Sequence, residues 1–528
     1  MNSRLFKVFS LLLACSLLMS ACSPIWGSPA LLATISYPYI PPTYSAIPSE
    51  TNKAVSTETW VYATERPTPM ETITQESIPL NTAEPTSATV VDRVLYYSQP
   101  GDSLQAIALH FSVDPSEIQS DSALPETGLV DPGTLMTIPD RIDSEKTAPI
   151  QIMPDSEVIF SASAIDFDLN GYVQNLNGYI NQYHEYTGST GDTPGKDEIQ
   201  RIALENSVNP RLLVALLEFQ SGWITGQPRN LSNMDYPMGY VDLNNTGLFH
   251  QMVLAVEDLS VGYYSWRSGQ LTQLTFPDRS IIKIAPELNA GTVAILYYFA
   301  RHFNKTEWQA IVTPGSGFSK LYKDMFGDPW LRAQKVEPLF PPGLTQPTLS
   351  LPFYPGETWS LTGGPHSVWE KVGALAALDF APGADQIGCY ASESWVLAAA
   401  AGQVVRSGIG VVVLDLDNDG HEETGWDLLY LHIATKDRVP VGKFLNKDDR
   451  IGHPSCEGGP STGTHFHFAR KYNGEWVLAG GPLPFDLSGW VAHNGPQPYE
   501  GTLTKGGYVV VAKTNGSAIT KIVRVPGE

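Results

Sequence analysis

Four short clusters in the C-terminal third of this 528-residue chain carry side chains able to hold a metal or move a proton. They are Thr362-Gly363-Gly364-Pro365-His366, Ala377-Leu378-Asp379-Phe380-Ala381-Pro382, Leu429-Tyr430-Leu431-His432 and Thr464-His465-Phe466-His467-Phe468. Alternate side chains of a strand share a face, so His465 and His467 point one way. Phe466 and Phe468 then point the other way, into a core. Two imidazoles on one face, joined by an aspartate from another strand, supply nitrogen and oxygen ligands and leave a position for water. Catalytic zinc sites are built from such a donor set. A lone His-x-His is weak, since paired strand histidines are more often surface or core residues. The four clusters in this order, with Gly452-His453-Pro454 between the last two, are a strong signal.

The surrounding sequence must position these groups. From about residue 350 it changes to short apolar and β-branched runs (395–400, 402–406, 411–415, 428–432) separated by Gly, Pro and Asp turns. This pattern predicts a mainly antiparallel sheet. Asp415-Leu416-Asp417-Asn418-Asp419-Gly420 imitates the start of a calcium loop, but its twelfth position is Trp426 instead of Glu. Two apolar runs flank it, so a hairpin turn is preferred over a calcium site. His453 reads as a turn histidine, and His421 and His493 as solvated. The pair Cys389 and Cys456 is expected to form a disulfide if the chain is exported, free buried thiols being the alternative.

Residues 350–495, through these clusters, resemble the M23 (lysostaphin/LytM-like) zinc peptidases. The resemblance implies that His366, Asp379 and His467 bind Zn2+, and that His465 and His432 form the catalytic pair. It implies zinc-activated water attacking a peptide carbonyl, with His465 taking or relaying the proton. His432 would stabilise the oxyanion or protonate the leaving amine. One departure is plain. The family places its first histidine four residues before the aspartate, where this chain has Leu375, and His366 lies thirteen residues before Asp379. Either the inserted residues 367–376 loop out and return His366 to the metal, or the site is incomplete.

The remainder of the chain reads as a wall-directed protein. Arg4 and Lys7 precede an apolar run over 8–19, followed by Leu18-Met19-Ser20-Ala21-Cys22. This resembles a bacterial lipobox, implying a signal over 1–22 and a lipid on Cys22, with Cys15 a second acylation candidate. Residues 23–90 are rich in Pro, Ser and Thr and read as a flexible tether. Residues 91–140, with Pro100-Gly101-Asp102-Ser103-Leu104 and a closing Ile138-Pro139, resemble a LysM domain of βααβ order. That implies binding to N-acetylglucosamine glycan beside the first helix and the second helix–strand loop. A linker is expected over 141–165, and a helical domain over 166–345. The helical domain resembles the lysozyme-like domains of lytic transglycosylases, whose Glu-Ser-Gly acid is replaced here by Gln220. An amide cannot donate the proton that glycoside cleavage needs. Glu218 is the alternative acid, but it lies about 200° away round the helix.

The peptidase-like domain is expected over 346–505 and a C-terminal extension over 506–528. The chain thus reads as multidomain: a small LysM module, a mainly α lysozyme-like domain and a mainly β peptidase domain. With 33 Lys+Arg against 55 Asp+Glu, the net charge of -22 disfavours nucleic-acid binding. The function expected is an exported, lipid-anchored zinc metalloendopeptidase of peptidoglycan, membrane-attached through Cys22 and targeted by its LysM module. The alternative is a non-catalytic wall-binding regulator of another hydrolase. A third reading makes the helical domain a glycan-cleaving lysozyme using Glu218.

Overall fold

The computed structural model describes residues 92–142, 144–383 and 388–527. The expected signal with Cys22, and the tether, lie outside the described residues. Among those described, no helix is long and apolar enough to cross a membrane.

Strand β1 (Arg93–Tyr97) pairs antiparallel with β2 (Leu135–Pro139) over helix α1 (Leu104–Phe111). Ser103 is the N-cap, its hydroxyl accepting from the Ala106 N–H at 3.2 Å. Tyr96, Ile107, Phe111, Met136 and Ile138 form a small separate core. The second helix expected in this module is one 3-10 turn, Pro115–Glu117. Asp114 and Glu117 close a capping box around that turn, and the following Ile118 is extended and buried, which stops propagation.

The middle block is built on α2 (Gly195–Asn206), α3 (Pro210–Ser221), α4 (Leu248–Arg267) and α5 (Ala290–His302). Asn209 accepts from the Arg211 N–H at 3.0 Å and Pro210 starts α3, where its missing N–H costs nothing. Helices α4 and α5 cross closely at Gly262, where a Cβ would lie 2.8 Å from the Ala294 Cα. The linker expected over 141–165 is not one throughout. Ile152, Met153, Val158, Ile159, Phe160 and Ala164 are buried in the core of the helical block. These apolar positions have no helical period, which is why composition alone read them as a connector.

The third region is an antiparallel sheet of β3 (Thr358–Ser367), β4 (Leu375–Ala381), β5 (Gly402–Ser407), β6 (Val411–Asp415), β7 (Trp426–Leu431), β8 (Phe444–Leu445), β9 (Phe466–Tyr472), β10 (Glu475–Trp476) and β11 (Lys521–Val523). The strands lie in the order β8-β5-β6-β7-β9-β4-β3-β11, and β10 pairs off β9. Residues 506–528 are therefore not a separate extension. Ile522 is buried and pairs with Trp359 at the sheet edge, while Arg524 donates to the Phe353 carbonyl at 2.8 Å.

The period-two alternation divides the sheet between two cores. Leu378, Phe380, Val412, Leu414, Tyr430, Phe466 and Phe468 face a core internal to this region. Ala377, Val411, Val413, Leu429, Leu431 and Ala469 face the helices, in one continuous core with α2–α5. That interface also buries charge. Arg267 of α4 bonds Asp155 at 2.7 Å and Glu475 of β10 at 2.9 Å, and the Tyr263 hydroxyl donates to Glu475 at 2.7 Å.

Candidate metal centre

Asp379 and His467 are placed by the ladder itself. Strands β4 and β9 pair with Asp379 directly opposite His467, so two side chains one strand apart project from one face. His366 reaches them from the far arm of the β3–β4 hairpin. Pairing in that hairpin shifts between Gly363 and His366, and again between His366 and Ser367. These bulges turn His366 onto the same face, and the thirteen-residue spacing is the length of a folded-back hairpin.

Three atoms converge. His366 Nε2 lies 3.0 Å from His467 Nδ1, and Asp379 Oδ1 lies 3.3 Å from the first and 3.2 Å from the second. A tetrahedral zinc with ligands at about 2.0–2.1 Å sets its ligand atoms about 3.3 Å apart. Asp379 Oδ1 is buried without a hydrogen-bond partner, as a carboxylate oxygen reserved for a cation would be. The His366 Nδ1–H donates to the Gly364 carbonyl at 2.7 Å, leaving the Nε2 lone pair for a metal. Gly363 is required here, because a Cβ at that position would stand 2.4 Å from Asp379 Oδ2. The residues present fit zinc.

The electrostatics agree. Burial pushes His467 down to about 4, so its imidazole is neutral and available as a ligand. Burial opposes ionisation of Asp379, but the surrounding imidazoles, His366 first, then His467 and His465, hold it well below the usual carboxylate range.

His465 and His432 stand beside this triangle. The His465 Nδ1–H donates to the Gly463 carbonyl at 2.8 Å, and its Nε2 lies 3.6 Å from Asp379 Oδ1. The His432 Nδ1–H donates to the Glu457 carbonyl at 2.9 Å, and the two rings are 4.6 Å apart. His432 has a φ of +63°, uncommon outside glycine. The Ser455 N–H (2.7 Å) and hydroxyl (3.0 Å) both donate to its carbonyl and hold the turn. Burial, with His465 and His467 nearby, lowers His432 to about 3. All five residues open on a groove of about 580 Å3 that is also bordered by Trp369, Glu370 and Tyr499.

Tyr499 carried no sequence signal, yet its ring stacks on His366 at 4.0 Å. His453 lies elsewhere, its Nδ1–H donating to the Ser394 carbonyl at 2.8 Å against the Trp395 ring. A Cys389–Cys456 disulfide is formed, and next to it the Tyr390 N–H donates to Thr464 Oγ1 at 3.0 Å, bracing the strand entry to His465. Asp415, Asp417 and Asp419 cluster in the β6–β7 hairpin turn, where Asp415 accepts from the N–H groups of Asp417, Asn418 and Gly420. In α3, both Glu218 oxygens are occupied by Ile224, Thr225 and the Thr225 hydroxyl, and Gln220 donates to the Tyr298 hydroxyl.

Comparison with known proteins finds partial similarities. Residues 151–339 match the family model described as LasA, N-terminal domain. That model covers the helical block which resembles lysozyme-like domains in sequence; a lysozyme-like domain is not shown. The chain is 27% identical over 305 residues to protease LasA of Pseudomonas aeruginosa, covering 51% of this chain and 64% of that protein. It is 27% identical over 149 residues to the beta-lytic metalloendopeptidase of Achromobacter lyticus, covering 27% of this chain and 37% of that one. Among solved structures, the M23 metalloprotease pseudoalterin shares 24% identity over 32% of this chain and 96% of its own, with a TM-score of 0.28. The chain is thus similar, at low identity, to protease LasA and to a beta-lytic metalloendopeptidase. It spans just under two thirds of the length of protease LasA.

Proposed function

We propose that this protein is an exported zinc metalloendopeptidase that hydrolyses peptide bonds of peptidoglycan, anchored through lipid on Cys22. The observation that carries the reading is the convergence of His366 Nε2, His467 Nδ1 and Asp379 Oδ1 within 3.0–3.3 Å on an open groove. Zinc held there would polarise the scissile carbonyl and activate the attacking water. His465, with its Nδ1 proton committed to Gly463, keeps Nε2 free to take the proton released in the attack. His432, similarly tied to Glu457, presents the second imidazole to the leaving amine. The unusual His366–Asp379 spacing was the best support for a non-catalytic regulator, and the bulged hairpin accounts for it. The occupied Glu218 and amide Gln220 give the lysozyme reading no acid. Glycan binding by residues 91–140 and wall attachment complete the proposal.

The test uses the full chain, because its sheet shares a core with the helices. Purified protein should hold about one zinc per chain and release new amino groups from peptidoglycan. His366→Ala, Asp379→Ala and His467→Ala should each lose both. A metal-free wild-type chain that binds wall and releases no amines would instead establish the regulator.

A further inference from the structure

The three ligands are not held alike. Asp379 and His467 face each other across a regular ladder, whereas His366 sits between two register shifts. Pairing with β4 therefore fixes it loosely; on the other edge of β3 the Gly364 N–H donates to the Tyr499 carbonyl at 2.8 Å and the Tyr499 N–H to the Pro365 carbonyl at 3.2 Å. The turn that follows, residues 368–374, is gripped from outside the sheet. Val368 and Ala374 are buried in the core shared with the helices. The Trp369 indole N–H donates to Glu205 Oε2 of α2 at 3.0 Å, and the other Glu205 oxygen pairs with Arg201 at 3.2 Å. Asn206, at the end of α2, donates to Glu370 at 3.3 Å. The Lys371 N–H donates to Glu257 of α4 at 3.3 Å. At Gly373 a Cβ would lie 2.8 Å from the Ser260 Cβ, so the turn lies directly against α4. Yet the residues lining the groove all come from the sheet region; the helical block grips the turn without covering the site.

We propose that the helical block is a working part of the metal centre, and that Trp369, clamped by Glu205, is a positioning residue for the ligand His366. The proposal rests on the metallopeptidase reading above. A metal site requires its ligands within about 0.5 Å of productive geometry. Only Ser367 and Val368 separate His366 from Trp369, so releasing the indole loosens the arm that carries the ligand. Trp369 also borders the groove, so the positional role is read from zinc affinity without substrate, which a substrate contact alone would not move.

Zinc affinity of the full chain, freed of metal and titrated in competition with a chromophoric chelator, tests this. Partners that orient a ligand are typically worth 10–100-fold in metal affinity. Trp369→Ala and Glu205→Ala should therefore weaken zinc about 10–100-fold. Trp369→Phe, which keeps the ring and drops the donor, should lose part of this. Glu205→Gln retains an acceptor oxygen and should bind nearly as the wild type does. The thermal midpoint of each metal-free variant separates positioning from folding: a structural role lowers the midpoint and leaves the affinity of the folded protein unchanged. Equal zinc affinity across all four variants would overturn the clamp while the metallopeptidase reading stands. A wild-type chain that binds no zinc would overturn both.

Discussion

His432 and His465 each give their Nδ1 proton to a main-chain carbonyl, at Glu457 and Gly463, and keep Nε2 for the groove. The metal triangle is complete without either, since His366, Asp379 and His467 supply its three atoms. Binding and turnover should therefore separate by residue. His465→Ala and His432→Ala are expected to retain zinc near one equivalent while amine release falls about 10²–10⁴-fold, the usual worth of a positioned proton-transfer group. Metal analysis beside single-turnover hydrolysis checks this. Loss of zinc in either variant would move that histidine into the ligand set.

Elements set what each module can reach. The groove expected for glycan runs beside α1 and the loop before β2, and that loop faces residues 340–344. The Gly343 N–H donates to Asp131 at 2.8 Å, and the space left between them is a cavity of about 40 Å3. Such a volume is far below the roughly 300–1,000 Å3 of ordinary ligand pockets. On the other side, His110 of α1 stacks on Trp266 at 3.6 Å. If glycan binds in that groove, Phe340→Ala, which loosens the covering segment, should tighten binding of N-acetylglucosamine oligomers over the wild type. Calorimetry of both proteins decides it: no heat from either removes glycan targeting through this groove.

For the whole molecule, stability depends on two neutral histidines, His110 against Trp266 of α4 and His302 inside the helical block against Tyr240 and Tyr298. Burial lowers His110 to about 3 and His302 to about 4. Both are ordinary imidazoles near 6.5 when unfolded, so below that pH the unfolded chain binds protons that the folded one refuses. Their contribution is fully present above pH 6.5 and is lost as pH falls towards 4 and 3. The unfolding free energy from denaturant titration should therefore drop between pH 7 and pH 4, by on the order of a few kcal/mol in total. His110→Phe should flatten the slope, and an unchanged slope would remove His110 from the account.

Local chemistry was legible in the sequence wherever a residue and its close neighbours decide the outcome. His-x-His parity placed Phe466 and Phe468 in the core opposite His467, and Asn209-Pro210 marked the start of α3. Two cysteines in a chain read as exported pointed to the bridge that is formed. The single-turn second helix, the buried residues 152–164 and the C-terminal strand beside β3 were not legible, because each depends on a partner far away in sequence. Similarly, no spacing rule brings His366 to Asp379. A bulged hairpin does, held by Glu205 from another block of the chain. Tyr499 joins the groove from a loop without a motif. Sequence determined which atoms could bind metal, because donor chemistry and strand parity are local properties. Tertiary structure decided which atoms meet and what holds them, because register shifts and interface packing are settled only when distant surfaces are buried together.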